Sequence, residues 1–193
     1  MDSNNASNNQ KYNLFIIVLG GRLSTSNIEV HDIRWFVGRN IKETFKYIKK
    51  EWVGDLSGLH IDSYITIKYI DGYKVELNKI NKGYNNQKRI NCPKLWFVYL
   101  GGYDHRHLIE QHHLDVLVAM NKKEAKSKAL NKWKTSLKQM HKDNCHTIDS
   151  AKGIDNCLSI EKVKNWQIEL RKDCKNRSQK IVPDWQGYLR LDN

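Results

Sequence analysis

Leu14-Phe-Ile-Ile-Val-Leu-Gly-Gly21 returns 81 residues later as Leu95-Trp-Phe-Val-Tyr-Leu-Gly-Gly102. Held at that offset without a gap, the match continues. Ile28-Glu29-x-His31 falls on Ile109-Glu110-x-His112, Asn40-x-Lys42-Glu43 on Asn121-x-Lys123-Glu124, and Trp52 and Leu56 on Trp133 and Leu137. From Leu14 to Leu56 the two stretches share 13 identities in 43 positions. Farther on the register slips by a few residues, so that His60-Ile-Asp62-Ser63 meets His146-Thr-Ile-Asp149-Ser150 and Tyr73-Lys-Val-Glu-Leu77 meets Trp166-Gln-Ile-Glu-Leu170. Self-similarity at a fixed offset marks one structural unit used twice. The expected organisation is a polar, disordered tail over 1–11, repeat units over 12–80 and 94–172, a linker over 81–93 and a C-terminal extension over 173–193.

Each repeat reads as strand, strand, helix, strand, strand. The short apolar runs before Gly-Gly suit buried strands, and Gly20-Gly21 and Gly101-Gly102 read as a tight turn or bulge. Asn40 and Asn121 are each followed three positions later by a Glu, the capping-box signature of a helix start. Ile41, Phe45, Ile48 and Trp52 then lie on one helical stripe, as do Ala125, Ala129, Trp133 and Leu137. A hairpin turning at Asp71-Gly72 ends the first repeat, and its partner turns at Lys164-Asn165, with Gly72 and Asn165 as the residues suited to positive φ. The fold class expected is α+β: two tandem ββαββ units, each an antiparallel sheet under one amphipathic helix, related by a pseudo-twofold axis.

Composition narrows the function classes. The 193 residues are 39% hydrophobic and 28% charged, a globular balance. No apolar run approaches the roughly 18–20 residues of a membrane span, so no membrane partner is expected. The N-terminus lacks a signal-peptide pattern and the four cysteines form no metal or disulfide motif, which predicts a cytoplasmic protein with free thiols. The net charge of +12 is spread: 14 basic and 9 acidic residues in the first 90, 19 and 12 in the rest. It comes mostly from lysine on solvated positions, so nucleic-acid association ranks as a lesser reading.

The motifs Leu-Gly-Gly, Ile-Glu-x-His-Asp and Leu-His-Ile-Asp-Ser, with Leu-Gly-Gly-Tyr-Asp and Glu-x-His in the second half, resemble the bacterial family called domain of unknown function 1543. The resemblance covers about 14–172. It implies a bacterial source and a tandem arrangement. It implies no activity and carries over no catalytic residue.

The residues that bear chemistry cluster on the second strand of each repeat. Alternation places Glu29, His31, Ile33, Trp35 and Val37 on one face, matched by Glu110, His112, Leu114, Val116 and Val118. Being the more apolar face, it is expected to face the core, with Glu and His pointing inward. His60 and Asp62 share a strand face ahead of the hairpin. Imidazole with carboxylate suits a divalent metal such as zinc, iron or manganese, with His31, His60, Asp62, His112, His146 and Asp149 as candidate ligands. Glu29, His31, His60, Asp62, Glu110 and His112 are the candidate ligand-binding residues of a small-molecule or metal-binding module. An acid–base or hydrolytic enzyme at the same cluster would use His31, Glu29 or Asp32. The bland alternative is a buried hydrogen-bond network. The loop Tyr103-Asp-His-Arg-His-Leu108 holds the densest histidine group, read as exposed and incidental.

Overall fold

In the computed structural model, the described residues are 11–80, 91–104, 107–137, 145–149 and 157–192, without the side chains of 103–104, 134–137 and 145–149. Nearly all of the expected N-terminal tail and most of the linker lie outside them.

The fold is α+β with antiparallel sheets. Two compact units divide the chain: one takes 1–68 and 182–193, the other 69–181. In the first unit β1 (Asn13–Gly21) lies between β2 (Val30–Gly38) and β3 (His60–Ile67). A 3₁₀ turn over Ile41–Thr44 leads into helix α1 (Phe45–Glu51). In the second unit, β4 (Tyr69–Ile70) and β5 (Tyr73–Lys79) form the hairpin that ends the first repeat. There too, β6 (Lys94–Asp104) pairs with β7 (Gln111–Ala119), with β8 (Cys145–Asp149) and with β9 (Cys157–Ser159), and α2 (Lys122–Leu137) packs on this sheet. The second hairpin, β10 (Lys162–Val163) and β11 (Trp166–Lys172), pairs through β11 with β5. The two hairpins thus make one four-stranded sheet, each supplying the neighbour that a lone hairpin lacks. The C-terminal strand β12 (Trp185–Arg190) returns to the first unit and pairs with β3.

The repeat offset governs the cores. Phe15, Ile17, Leu19, Phe36, Ile48 and Trp52 are buried together in the first unit. Trp96, Val98, Leu100, Leu117, Ala129 and Trp133, each 81 positions later, are buried together in the second. Both helix starts are capped alike. Asn40 Oδ1 accepts from the Glu43 amide while the Glu43 carboxylate accepts from the Arg39 amide; Asn121, Glu124 and Met120 repeat the arrangement. One strand-to-helix ion pair is kept with its charges exchanged. Arg34 lies 3.8 Å from Glu51, and at the equivalent positions Asp115 lies 3.1 Å from Lys132.

Three expectations change. Gly20-Gly21 and Gly101-Gly102 do not turn; they lie within β1 and β6 and continue the pairing with the second strands. At the second hairpin turn, Lys164 takes the left-handed conformation (φ 52°) rather than Asn165, whereas Asp71 and Gly72 (φ 48° and 79°) both take it at the first. The helix covers the Val30 and Phe36 face of β2, not the Glu29 and His31 face. Apolar residues occupy both faces of β2, so alternation alone did not mark the face that would meet the helix.

His113 stacks on Trp133 with centroids 5.7 Å apart, and burial, opposed by Asp115 and reinforced by Lys132, lowers its pKa. A histidine that resists protonation when folded gives the unfolded chain the first claim on the proton. Stability is therefore full above the ordinary histidine pKa of about 6.5 and falls as pH drops below it. Urea unfolding of His113→Phe should have a flatter pH dependence between about pH 7.5 and 5 than the parent chain. Ile48→Ala should cost about 2–4 kcal/mol in the same assay, because the 3₁₀ turn and short helix α1 leave little freedom to close the cavity.

Candidate functional site

His31, Gly20 and His60 lie in one row across β2, β1 and β3, since Gly20 pairs with His31 on one side and His60 on the other. Residues level across a sheet project from the same face, so the two imidazoles flank a residue with no side chain. A Cβ at Gly20 would run into His60 Nε2 and lie 2.8 Å from Glu29 Oε1. The space above Gly20 is where the site is built. Glu29 stands two positions before His31 and reaches the same space. Asp62 enters through a β-bulge: Val18 pairs with Ser63 and Leu19 with Ile61, which leaves Asp62 unpaired between them.

Four side chains meet there. His31 Nε2 is 3.1 Å from Glu29 Oε1 and 3.4 Å from Asp62 Oδ2. His60 Nε2 is 3.3 Å from the same Glu29 oxygen and 3.0 Å from Asp62 Oδ1. Nitrogen and oxygen atoms from Glu29, His60 and Asp62 all fall within 4.8 Å of one another. The His60 side chain is 1% exposed, against 55% for His31, 41% for Glu29 and 29% for Asp62. One imidazole thus forms a buried wall while the others open to water, so the inward burial expected for Glu29 and His31 does not occur. The end of the sheet that holds them lies beyond the buried Leu14, Ile16, Val37, Ile65 and Ile67 of the same face.

The orientation of His60 is fixed from behind. Its Nδ1 lies 2.7 Å from the Gly58 carbonyl oxygen, which can only accept, so Nδ1 carries the proton and donates. Gly58 adopts φ 78°, a conformation that favours glycine. Its amide donates to Asp192 at 2.8 Å, and Arg190 holds that carboxylate with a two-nitrogen fork. The Arg190 guanidinium and the Gly58 amide keep the Asp192 carboxyl well below the usual carboxylate range. Tyr188 covers the His60 ring at a centroid distance of 4.0 Å. Neither Tyr188 nor Asp192 was expected at the site, and nothing in their local sequence ties them to a residue about 130 positions earlier.

Other candidates fall elsewhere. Asp32 is not part of the cluster: it accepts from Arg34 Nε at 2.6 Å and from the Ile33 amide. In the second repeat, Glu110 lies 3.5 Å from His112, whose ring stacks on Tyr99. The row there reads His112, Gly101, Asp149, so Asp149 holds the backbone place that His60 has in the first repeat. The side chains of His146, Asp149 and Asp104, and the whole of His105, lie outside the described residues. His107 is exposed.

Two segments, 26–77 and 107–158, match the family model described as Domain of Unknown Function (DUF1543), and together they span more than half of the chain. The chain belongs to this family. Each matched segment of this DUF1543 chain contains one Glu-x-His strand start. Among solved structures, the chain is similar to "protein Il1583 from Idiomarina loihiensis", at a TM-score of 0.66 and 28% identity, over 94% of this chain and 98% of that one. No curated protein matches significantly. Tyr188 and Asp192 fall outside both matched segments. No helix among the described residues is long and apolar enough to cross a membrane.

Gly20→Ala tests the steric reading of the row. It should destabilise the first unit by about 1–3 kcal/mol, because the methyl meets a buried ring as well as a movable carboxylate. Thermal unfolding beside Val18→Ala, which removes volume from the same strand, checks the direction.

Proposed function

We propose that this DUF1543 chain is a metal- or small-ligand-binding module whose first repeat holds a divalent cation through His60, Glu29 and Asp62, with His31 as a fourth donor. The observation that carries the reading is the placement of the His60 ring, with Nδ1 on the Gly58 carbonyl and Nε2 between two carboxylates. With its proton on Nδ1, a neutral ring presents a lone pair at Nε2, yet that atom faces two carboxylate oxygens at 3.0 and 3.3 Å. A lone pair among acceptors is repulsive unless positive charge sits between them.

The spacings fit that charge being a metal. Donors about 2.1 Å from an ion stand about 3.0 Å apart at octahedral angles and about 3.4 Å apart at tetrahedral ones. The four pairs above span 3.0–3.4 Å. Imidazole and carboxylate donors with no thiolate favour zinc, manganese or iron(II) over soft ions. The free Cys92, Cys157 and Cys174 accord with a reducing, cytoplasmic setting.

A second reading rests on the half-exposure of His31 and Glu29. A cation bound there would keep a face to water, as catalytic zinc sites do, and would supply a nucleophilic hydroxide for hydrolysis. Nucleic-acid binding has less support, because Lys128 and Lys132 of the basic helix are engaged by Glu124 and Asp115.

Elemental analysis and calorimetric titration of the full chain with zinc, manganese and iron(II) test the proposal. One ion per first-repeat site is expected, and Asp62→Asn or Glu29→Gln should weaken it at least about tenfold. Affinity should fall as pH is lowered, because all four donors bind in deprotonated form. A chain that takes up none of the three ions would overturn the reading.

A further inference from the structure

The C-terminal strand end and the buried imidazole meet at one glycine. Gly58 donates its amide to Asp192 and accepts from His60 Nδ1 through its carbonyl, so a single residue links the Asp192 side-chain carboxylate to the buried imidazole. We propose that Asp192 is a positioning residue of the metal centre: by holding the Gly58 peptide it fixes which nitrogen of His60 faces the cation. The inference rests on the metal reading above and extends it to the C-terminal strand, which neither family match includes.

Four features give the arrangement its stiffness. Asp192 is itself held by Arg190, whose Nε and second guanidinium nitrogen reach it at 2.9 and 2.6 Å. Leu191 is buried in the first core and donates its amide to the Leu59 carbonyl at 2.8 Å, which locks the strand end beside Gly58. Arg190 also pairs with His60 in the sheet register. The pairing of β12 with β3 shifts between Gln186 and Leu189, and the irregular stretch carries Tyr188, whose ring lies on His60. Irregularities of this kind re-aim a side chain beside functional sites. A ring clamped on its face and at one nitrogen offers its other nitrogen in one direction. This is how outer hydrogen-bond partners set the tautomer and affinity of metal-binding histidines.

The test compares the full-length chain with Asp192→Ala, Asp192→Asn and Gly58→Ala. Two readouts are taken: zinc and manganese affinity by titration, and the His60 tautomer in the zinc-saturated protein from long-range proton–nitrogen NMR correlations. The parent should hold His60 as the single tautomer protonated at Nδ1. Asp192→Ala should mix the tautomers and weaken metal binding about 10–100-fold. Asp192→Asn keeps an acceptor for the Gly58 amide and should restore the tautomer. Gly58→Ala adds a methyl that meets no atom within 4 Å but strains a positive φ, so it should weaken binding in the same direction even if Asp192→Ala fails to fold. Unchanged affinity and an unchanged tautomer in Asp192→Ala, with the parent binding metal, would overturn the role of Asp192 alone. A parent that binds neither ion would overturn the metal reading and this inference with it.

Discussion

Two adjacent residues without a Cβ let both faces of one strand be used at full depth. Trp52 lies over Gly21 on the helix side, where a Cβ would come within 2.7 Å of its ring. His60 and Glu29 lie over Gly20 on the other side. Side chains alternate along a strand, so one Gly-Gly pair serves the core and the site at once. The helix can then close on the sheet through a large aromatic, and two imidazoles two strands apart can reach the same carboxylates. A side chain at Gly21 would displace Trp52, and one at Gly20 would displace His60 and Glu29.

The duplication separates what the fold needs from what the site needs. Core positions exchange freely among apolar residues: Phe15 for Trp96, Ile17 for Val98, Ile48 for Ala129. The strand-to-helix ion pair survives with its signs reversed, which preserves the attraction and loses the residue identities. Glu-x-His and the glycine beneath it remain unchanged at 29, 31, 20 and at 110, 112, 101. In the second repeat the place of His60 goes to Asp149, leaving that row with one imidazole fewer. Among the described side chains, four meet above Gly20, and Glu110 lies beside His112 in the second repeat.

Much of this was legible in sequence because it is local. The capping boxes and the Asp71-Gly72 hairpin depend on neighbours within a few positions, and the 81-residue offset shows by direct comparison of the two halves. The convergence of Glu29, His31, His60 and Asp62 was foreshadowed by their repeat pattern, but its mechanism was not. Asp62 arrives through an unpaired position in the β1–β3 register, and a bulge of that kind has no reliable local signature. Alternation assigned the Glu29 face to the core because β2 is apolar on both faces; the choice was made by α1, which packs on Phe36. The pairing of β5 with β11, and of Gly58 with Asp192, spans about half the chain or more. Such contacts are set by the edges left free when the local elements have formed, and no short-range pattern encodes them.

The basic character of the chain bears on the site by contrast. Against an overall charge of +12, the space above Gly20 gathers two carboxylates, with Arg34 engaged elsewhere by Asp32 and Glu51. Two acids beside a buried imidazole whose inner nitrogen already holds its proton leave one unmet demand, for positive charge at Nε2. A proton could meet it by making His60 an imidazolium, which would suit a purely structural network. But such a network would gain most from burying all its members, whereas Glu29 and His31 are half open to water. Burial of one imidazole, exposure of the other three side chains and a clamp behind the buried ring leave the cluster fixed on one side and open to water on the other.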